Sequence, residues 1–341
     1  MTSIAGTRIA GGILWCALLW FASCKREGAN SQNTMASGRA SAGLVTPARE
    51  QAWGGSAPSC KGLPAECGIS GKEDCCKSLR VPGGTYYRSY DGVDHLDKGF
   101  RATLSDFNLD KYEVTVGRLR AFVDAGKGTQ KSPPAAGAGA HPKIAASGWR
   151  SEWTARLSED TGALKTALRC YDSYQTWTDA PADNEKKAAN CVDWYTAFAF
   201  CVWDGGRIAT EAEWMYAAAG GDEQRYYPWS SPPNSTAIDD SYAAYCGGTC
   251  WSMQDVGMKP KGDGKWGHSD LGGNAWEWTL DWNSNAVPVP CHDCAVVDGG
   301  TWRNARSGAY NDLASTLRSA TRHVYSPDYH GIIGLRCARN P

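Results

Sequence analysis

The sequence lacks an excess of charge of either sign. Its 35 lysines and arginines nearly balance 36 aspartates and glutamates, which leaves a net charge of -1 and argues against nucleic acid as a main partner. Phenylalanine is also scarce, with 6 residues, whereas glycine (39) and tryptophan (16) are abundant. Because long helices tolerate glycine poorly, this composition predicts an irregular fold with many turns and buried indoles.

A hydrophobic run that would span a bilayer comfortably is missing from the N-terminus. The stretch IAGGILWCALLWFAS follows Arg8 and ends just before Cys24, a pattern typical of a signal peptide over residues 1–23. Its end, Phe21 to Cys24, resembles the bacterial lipobox, whose cysteine is acylated. We therefore expect a lipid on Cys24 that holds the chain on a membrane surface of the bacterial cell envelope. Phe21 replaces the usual Leu, so an uncleaved anchor or an ordinary secreted protein are the alternatives.

The remaining chain divides by composition into three parts. Residues 24–58 are rich in Ser, Ala, Gly and Asn, which predicts a flexible tether. Residues 59–80 contain four cysteines and no histidine, so a disulfide-stapled knot is favoured over a zinc site. Residues 81–341 have a globular composition. Periodicity and capping residues predict three helices in this part, over 115–126, 193–206 and 210–221. Turn signals over 131–149 predict a mobile insertion loop.

Cysteine usage supports export. There are fourteen cysteines, and twelve remain beyond Cys16 and Cys24, an even number that predicts six disulfides in an oxidising compartment. The sequence leaves their pairing open. Local pairs Cys246–Cys250 and Cys291–Cys294 are one arrangement, and cross-pairing between these two couples is the other.

The order of the globular motifs resembles one known family. The motifs are VPGGTYYRS (81–89), FNLDKYEVTVGRLRAF (107–122), NCVDWYTAFAFCVWDGGRIATEAEWMYAA (190–218), YPW (227–229), VGMKPKGDGKWGHSDLGGNAWEW (256–278), GGTW (299–302) and GLRCAR (334–339). Together they resemble the formylglycine-generating enzyme, or sulfatase-modifying factor, family. The resemblance implies an α+β domain, distantly similar to C-type lectins, with little regular secondary structure. It also implies a disulfide between Cys201 and Cys337.

The resemblance further implies bound calcium in the turn before the tryptophan pair. The ligands would be Asp270, the backbone carbonyls of Gly273 and Ala275, and Glu277. Hard oxygen ligands on a tight glycine turn suit Ca²⁺, while an acidic pair that is solvated or caps a helix is the alternative. Ala244 stands where the family's other calcium site has an Asn, which weakens the case for that second site.

The two tryptophans of the AWEW motif are predicted to be core residues. Trp276 and Trp278 alternate with Glu277, so in an extended segment the carboxylate faces away from both indoles. A sugar-stacking platform is the alternative, because indole faces also bind sugars in lectin-like folds. Burial habits favour the core.

The groups that define the family's oxidation chemistry are missing. Catalytic members carry a pair of cysteines after Gly-Gly-Ser-Trp that bind copper(I), but residues 299–322 contain no cysteine. Asn304 lies about where the first thiolate belongs, and Ser319 replaces another family cysteine, so copper is not expected. Cys291 and Cys294 could hold copper or exchange thiols if reduced, although a structural disulfide is favoured in an exported protein.

Two functional hypotheses follow. The first is a lipid-anchored, calcium-stabilised binding or scaffold module with an unknown peptide or glycan ligand. The second is a metal-dependent oxidoreductase of the same family that acts on a protein or small-molecule thiol. A fold alone does not decide between them, because function resides in the site.

Overall fold

Short strands and helices joined by long turns make up the described part of the chain. The computed structural model describes residues 57–247, 252–284 and 286–341. The signal peptide, Cys24 and nearly all of the tether lie outside these residues. Within the described ranges, every helix is too short or too polar to cross a membrane.

The described residues form four α-helices and eleven strands, which follow one another in a mixed order. They are β1 (Ser78–Val81), β2 (Gly84–Tyr87), β3 (Arg101–Leu104), β4 (Phe107–Asp110), α1 (Val116–Asp124), α2 (Thr161–Ala167), α3 (Trp194–Trp203), β5 (Arg207–Ile208), α4 (Glu211–Ala218), β6 (Trp276–Trp282), β7 (Cys291–His292), β8 (Arg303–Arg306), β9 (His323–Tyr325), β10 (Ile333–Gly334) and β11 (Cys337–Arg339). The mixture and the low content of regular structure confirm the predicted fold class.

The strands form three small sheets. Their orders are β1-β4-β11-β5, β10-β6-β8-β9 and β2-β3-β7. The C-terminal strand β11 lies between β4 and β5 and is antiparallel to both, so the chain end is built into the first sheet. The longest strand, β6, pairs with β8 through a register irregularity. This second sheet carries both the predicted calcium turn and the segment where the family places its copper thiolates.

The three predicted helices are present, and α3 and α4 begin at the predicted capping residues Asp193 and Thr210. The side chains of Thr115, Asp193 and Thr210 each accept a hydrogen bond from the backbone N–H three residues further on. Thr210 and Glu213 form a reciprocal capping box, which satisfies two backbone donors at the start of α4. The sequence did not reveal α2, a short helix capped by Asp160.

Aromatic side chains fill the main core. Helix α3 is apolar around most of its circumference and is buried from Trp194 to Cys201. Trp153 contacts Trp194 and Phe198 with ring centroids 5.1 and 5.7 Å apart, and Trp149 packs edge-on against Trp153 at 5.6 Å. Edge-to-face geometry is the favoured one for such ring pairs. The abundant tryptophans are therefore mostly structural.

The segment 131–149 differs from the mobile loop that was predicted. It contains neither helix nor strand, but Trp149 is only 2% exposed and joins the aromatic core. His141 is also buried, with Nε2 at 3.5 Å from Glu213. The Pro- and Gly-rich composition of the segment gave no sign that Trp149 and His141 would be buried. A single buried ring is enough to hold an irregular segment against a core.

Five disulfides join ten of the described cysteines. They are Cys60–Cys76, Cys67–Cys75, Cys170–Cys191, Cys201–Cys337 and Cys291–Cys294. The second is nested within the first, as a stapled knot requires. The Cys201–Cys337 bridge that the resemblance implied connects α3 to β11. The predicted Cys246–Cys250 pair lies partly outside the described residues, because 248–251 are not described.

Candidate functional site

Strand β6 separates its tryptophans from its glutamate, as the alternation predicted. Trp276 and Trp278 are buried, 4% and 0% exposed, and the indole N–H of Trp278 donates to the carbonyl of Val192 at 2.7 Å. The Trp276 ring lies 5.4 Å from that of His323. Both indoles therefore belong to the core, and this prediction is confirmed.

Glu277 lies on the opposite face and is held by two donors. Arg336 donates from Nη2 to Oε1 at 2.8 Å and from Nε to both carboxylate oxygens at 3.1 Å. The indole N–H of Trp214 donates to Oε2 at 2.7 Å. Arg336 also donates to the backbone carbonyls of Ser269 and Lys111. This buried ion pair therefore ties β6 to the C-terminal segment.

The turn before β6 brings Asp270 close to the same region. Asp270 has a φ of +57° and Gly273 a φ of +101°, left-handed conformations that favour short polar residues and glycine. A Cβ on Gly273 would lie 2.4 Å from the carbonyl oxygen of Ala244, so the turn requires glycine at this position. The Asp270 carboxylate accepts from the backbone N–H of Gly257 at 2.6 Å.

A third buried carboxylate, Glu113, faces this turn and was missed by sequence reasoning. It precedes helix α1 and accepts from the side-chain amide of Asn274 at 2.6 Å and from the backbone N–H of Ala275 at 3.0 Å. Burial, followed by the charges of Asp270 and Glu277, raises the pKa of Glu113 well above its usual value. Its position in the family's Glu-Val-Thr signature was the one available signal.

Carboxyl groups outnumber guanidinium groups in this buried cluster. Among the described residues, Glu113, Asp270 and Glu277 all face the guanidinium of Arg336. Burial is the main cause that raises the pKa of Asp270 to about 6. An additional cation would relieve this repulsion, and carboxylates with nearby carbonyls are the ligands that Ca²⁺ prefers. The residue types present suit calcium, but both oxygens of Glu277 already accept from Arg336 and Trp214, and the carbonyl of Gly273 accepts from the Ser307 hydroxyl at 3.0 Å. An ion at this turn would have to share or replace these contacts.

The segment that carries copper ligands in catalytic relatives has a different chemistry here. Asn304 lies on β8, and its buried side-chain oxygen has no hydrogen-bond partner among the described residues. The Ser319 hydroxyl donates to the carbonyl of Ala218 at 3.1 Å. Neither group is a soft sulfur ligand, so these residues do not fit copper(I).

The nearby cysteine pair is oxidised. Cys291 and Cys294 form a disulfide with a Cα–Cα distance of 5.3 Å, and Cys291 is buried. A guanidinium nitrogen of Arg88 lies 3.6 Å from Sγ of Cys294. In this disulfide neither sulfur is a thiolate, so the pair does not replace the missing copper ligands.

Comparison with known proteins decides the family. Residues 65–341 match the sulfatase-modifying factor enzyme 1-like domain. The chain belongs to this family. It is 32% identical over 298 residues to inactive C-alpha-formylglycine-generating enzyme 2 of Mus musculus, covering 76% of this chain and 84% of the relative.

A second relative of this chain is named as a formylglycine-generating enzyme. It is the formylglycine-generating enzyme of Thermomonospora curvata, 24% identical over 300 residues, with 77% of this chain and 93% of that protein covered. Among solved structures, PvdO from Pseudomonas aeruginosa superposes with a TM-score of 0.56 at 20% identity, covering 83% of this chain and 97% of PvdO. This last likeness supports the fold.

Proposed function

We propose that this sulfatase-modifying factor domain is a non-catalytic binding or scaffold module, stabilised by calcium and held by lipid on the bacterial cell envelope. The observation that carries the proposal is the absence of cysteine from residues 299–322, where the family's oxidation requires thiolates. Asn304 and Ser319 offer no soft ligand in their place. A similar relative is itself named an inactive enzyme, which supports the same conclusion for this chain.

Calcium would be held by the turn before β6. Asp270 and Glu277 would supply carboxylate oxygens, and Gly273 and Ala275 would supply backbone carbonyls. The ion would add positive charge beside Glu113, whose pKa is raised by burial and by the charges of Asp270 and Glu277, and would thereby favour its ionised form. The ion would also fix the turn before β6, in which the Asp270 carboxylate accepts from the backbone N–H of Gly257. Its role is structural in this proposal, since a hard d⁰ cation does not carry out redox chemistry.

Calcium is expected to raise the melting temperature of the purified chain, whereas a chelator lowers it. A ligand that binds only the folded state stabilises it by about 2.7 kcal/mol at one hundred times its dissociation constant. Asp270→Ala removes the side-chain oxygen that would bind the ion, and we expect it to abolish most of the response. Elemental analysis should find calcium and no copper.

Asp193→Asn is the matched control for the calcium prediction. It replaces another buried aspartate, but one that caps α3, and asparagine is an equally good cap. This variant should keep the full calcium response. Equal melting temperatures for the parent in calcium and in chelator would contradict the calcium part of the proposal.

The membrane anchor makes a separate prediction. The chain should incorporate labelled fatty acid in bacterial cells, and Cys24→Ser should incorporate none, because the thiol of Cys24 is the proposed site of acylation. Cys16→Ser serves as the control and should be labelled like the parent. Label that persists on Cys24→Ser would show that the anchor, if any, lies elsewhere.

A further inference from the structure

A second site lies at the junction of β2, α4 and β8. A solvent-open cavity of about 220 Å³ is formed there, and Arg88, Arg306 and Arg322 contribute to its lining together with Glu211, Met215 and Phe100. We call it the arginine pocket. None of Asp270, Gly273 or Glu277 lines it, so it is separate from the calcium turn.

The charges around the arginine pocket do not balance. Arg306 donates to Glu211 at 2.7 Å, and Arg322 approaches the other oxygen of Glu211 at 3.7 Å, beyond hydrogen-bond distance. One carboxylate therefore serves two guanidinium groups, and Arg88 adds a third. The neighbouring Asp281 accepts from the backbone N–H of Glu211. Burial, followed by the charge of Glu211, raises the pKa of Asp281 to about 7. Even when Asp281 is ionised, two carboxylates face three guanidinium groups.

A structural arginine cluster in the same protein is balanced. Arg118 and Arg339 contact two buried carboxylates, Asp110 and Asp204, and together the four groups form a closed network of ion pairs. Two positive charges meet two negative charges there. The arginine pocket departs from this arrangement, and it is open to solvent, so a ligand can enter it.

Two of the pocket arginines also keep donors unused. The Nε–H groups of Arg88 and Arg306 are buried and have no acceptor among the described residues. The other nitrogens of Arg306 donate to Glu211 and to the carbonyls of Ala320 and Thr321. The guanidinium groups are thus fixed in place while donor capacity remains, and native proteins rarely leave such groups unsatisfied.

The rest of the lining selects for an apolar body beside the anionic group. Met215 and Phe100 line the cavity with Val287, and these side chains offer no partner for a hydrated inorganic ion. Guanidinium groups bind carboxylates with directed pairs of hydrogen bonds. We propose that the arginine pocket binds a small organic carboxylate whose apolar part contacts Met215 and Phe100. The cavity is smaller than the roughly 300–1,000 Å³ typical of drug-sized ligands, which limits the ligand to a compact acid.

Equilibrium dialysis with labelled phenylacetate tests this proposal on the purified chain. We expect saturable binding at one site, with no competition from uncharged phenylacetamide and only weak competition from sulfate. Arg322→Gln should weaken binding roughly tenfold to a hundredfold, since it removes a charge-assisted contact. Arg322 is partly exposed, so this replacement leaves the core intact. Val287→Glu should also weaken binding, because it places a negative charge on the lining.

Arg169→Gln provides the control, because Arg169 pairs with Asp179 on the surface and does not line the pocket. This variant should bind phenylacetate like the parent. Three results would overturn the proposal. One is the lack of saturable phenylacetate binding by the parent. Another is a lack of discrimination, whether between acid and amide or between the parent and Arg322→Gln. The third is competition by sulfate as strong as by phenylacetate itself, which would make the pocket an inorganic anion site.

Discussion

Replacing Arg336 with Met is expected to destabilise the folded chain by about 3–5 kcal/mol in the presence of chelator, the range for breaking a buried ion pair from one side. Its guanidinium is fully buried and faces Glu113, Asp270 and Glu277. Methionine fills part of the space but leaves the carboxylates without a counter-charge. Urea unfolding followed by tryptophan fluorescence measures the loss.

A second replacement separates charge from packing. Arg336→Met combined with Glu277→Gln removes one buried negative charge together with the positive one, so it should be less destabilised than Arg336→Met alone. Arg156→Met is the surface control, because the Arg156–Asp328 pair is about half exposed and should contribute only about 0–1 kcal/mol. If Arg336→Met were no more costly than Arg156→Met, the charge cluster would not govern stability.

Removing the Cys201–Cys337 disulfide should cost about 2–5 kcal/mol of stability. The bridge closes a loop with a sequence separation of 136 residues, and in the chain-entropy model a long loop gives the largest restriction of the unfolded state. Replacing both cysteines with alanine avoids a free buried thiol. Urea unfolding of this double variant under non-reducing conditions gives the free-energy difference.

The Cys291–Cys294 bridge supplies the comparison for that experiment. Its sequence separation is 3, so the same entropic argument assigns it a smaller effect. The Cys291→Ala, Cys294→Ala double variant should therefore unfold at a higher urea concentration than the double variant at Cys201 and Cys337. The reverse order would show that local packing, rather than loop length, determines the contribution of each bridge.

Much of the local structure could be predicted because its causes are local. A capping box such as that of Thr210 and Glu213 predicts where a helix begins, because both residues lie within four positions of each other in the sequence. Alternation of Trp276, Glu277 and Trp278 likewise predicts which side chain leaves the core. The resemblance to the family also implied the disulfide between Cys201 and Cys337, which cysteine spacing alone could not assign.

The parts that escaped prediction depend on distant segments. Glu113 reaches the turn at Asn274 and Ala275 across a separation of more than 160 residues, and no local pattern marks such a contact. The arginine pocket collects Arg88, Arg306 and Glu211 from three elements. Its charge imbalance becomes visible only when the partners of each guanidinium are known.

Family membership and activity are separate questions for this chain. The fold retains the Glu277–Arg336 ion pair and the Cys201–Cys337 bridge, both of which stabilise the domain. Asn304 stands about where the family has its first copper thiolate, and Ser319 replaces another family cysteine. A domain can keep its stabilising groups when the reactive ones are lost, because the two sets serve different purposes.

The most direct test of this account is an assay for formylglycine formation. The purified chain would be incubated with a sulfatase-type cysteine peptide, copper(I) and oxygen, and the aldehyde product would be sought by mass spectrometry. The formylglycine-generating enzyme of Thermomonospora curvata, assayed in parallel, provides the positive control. The proposed binding module should yield no aldehyde above a metal-free control, since residues 299–322 supply no thiolate for copper. Copper-dependent turnover of the peptide would contradict the account and identify the chain as an oxidase.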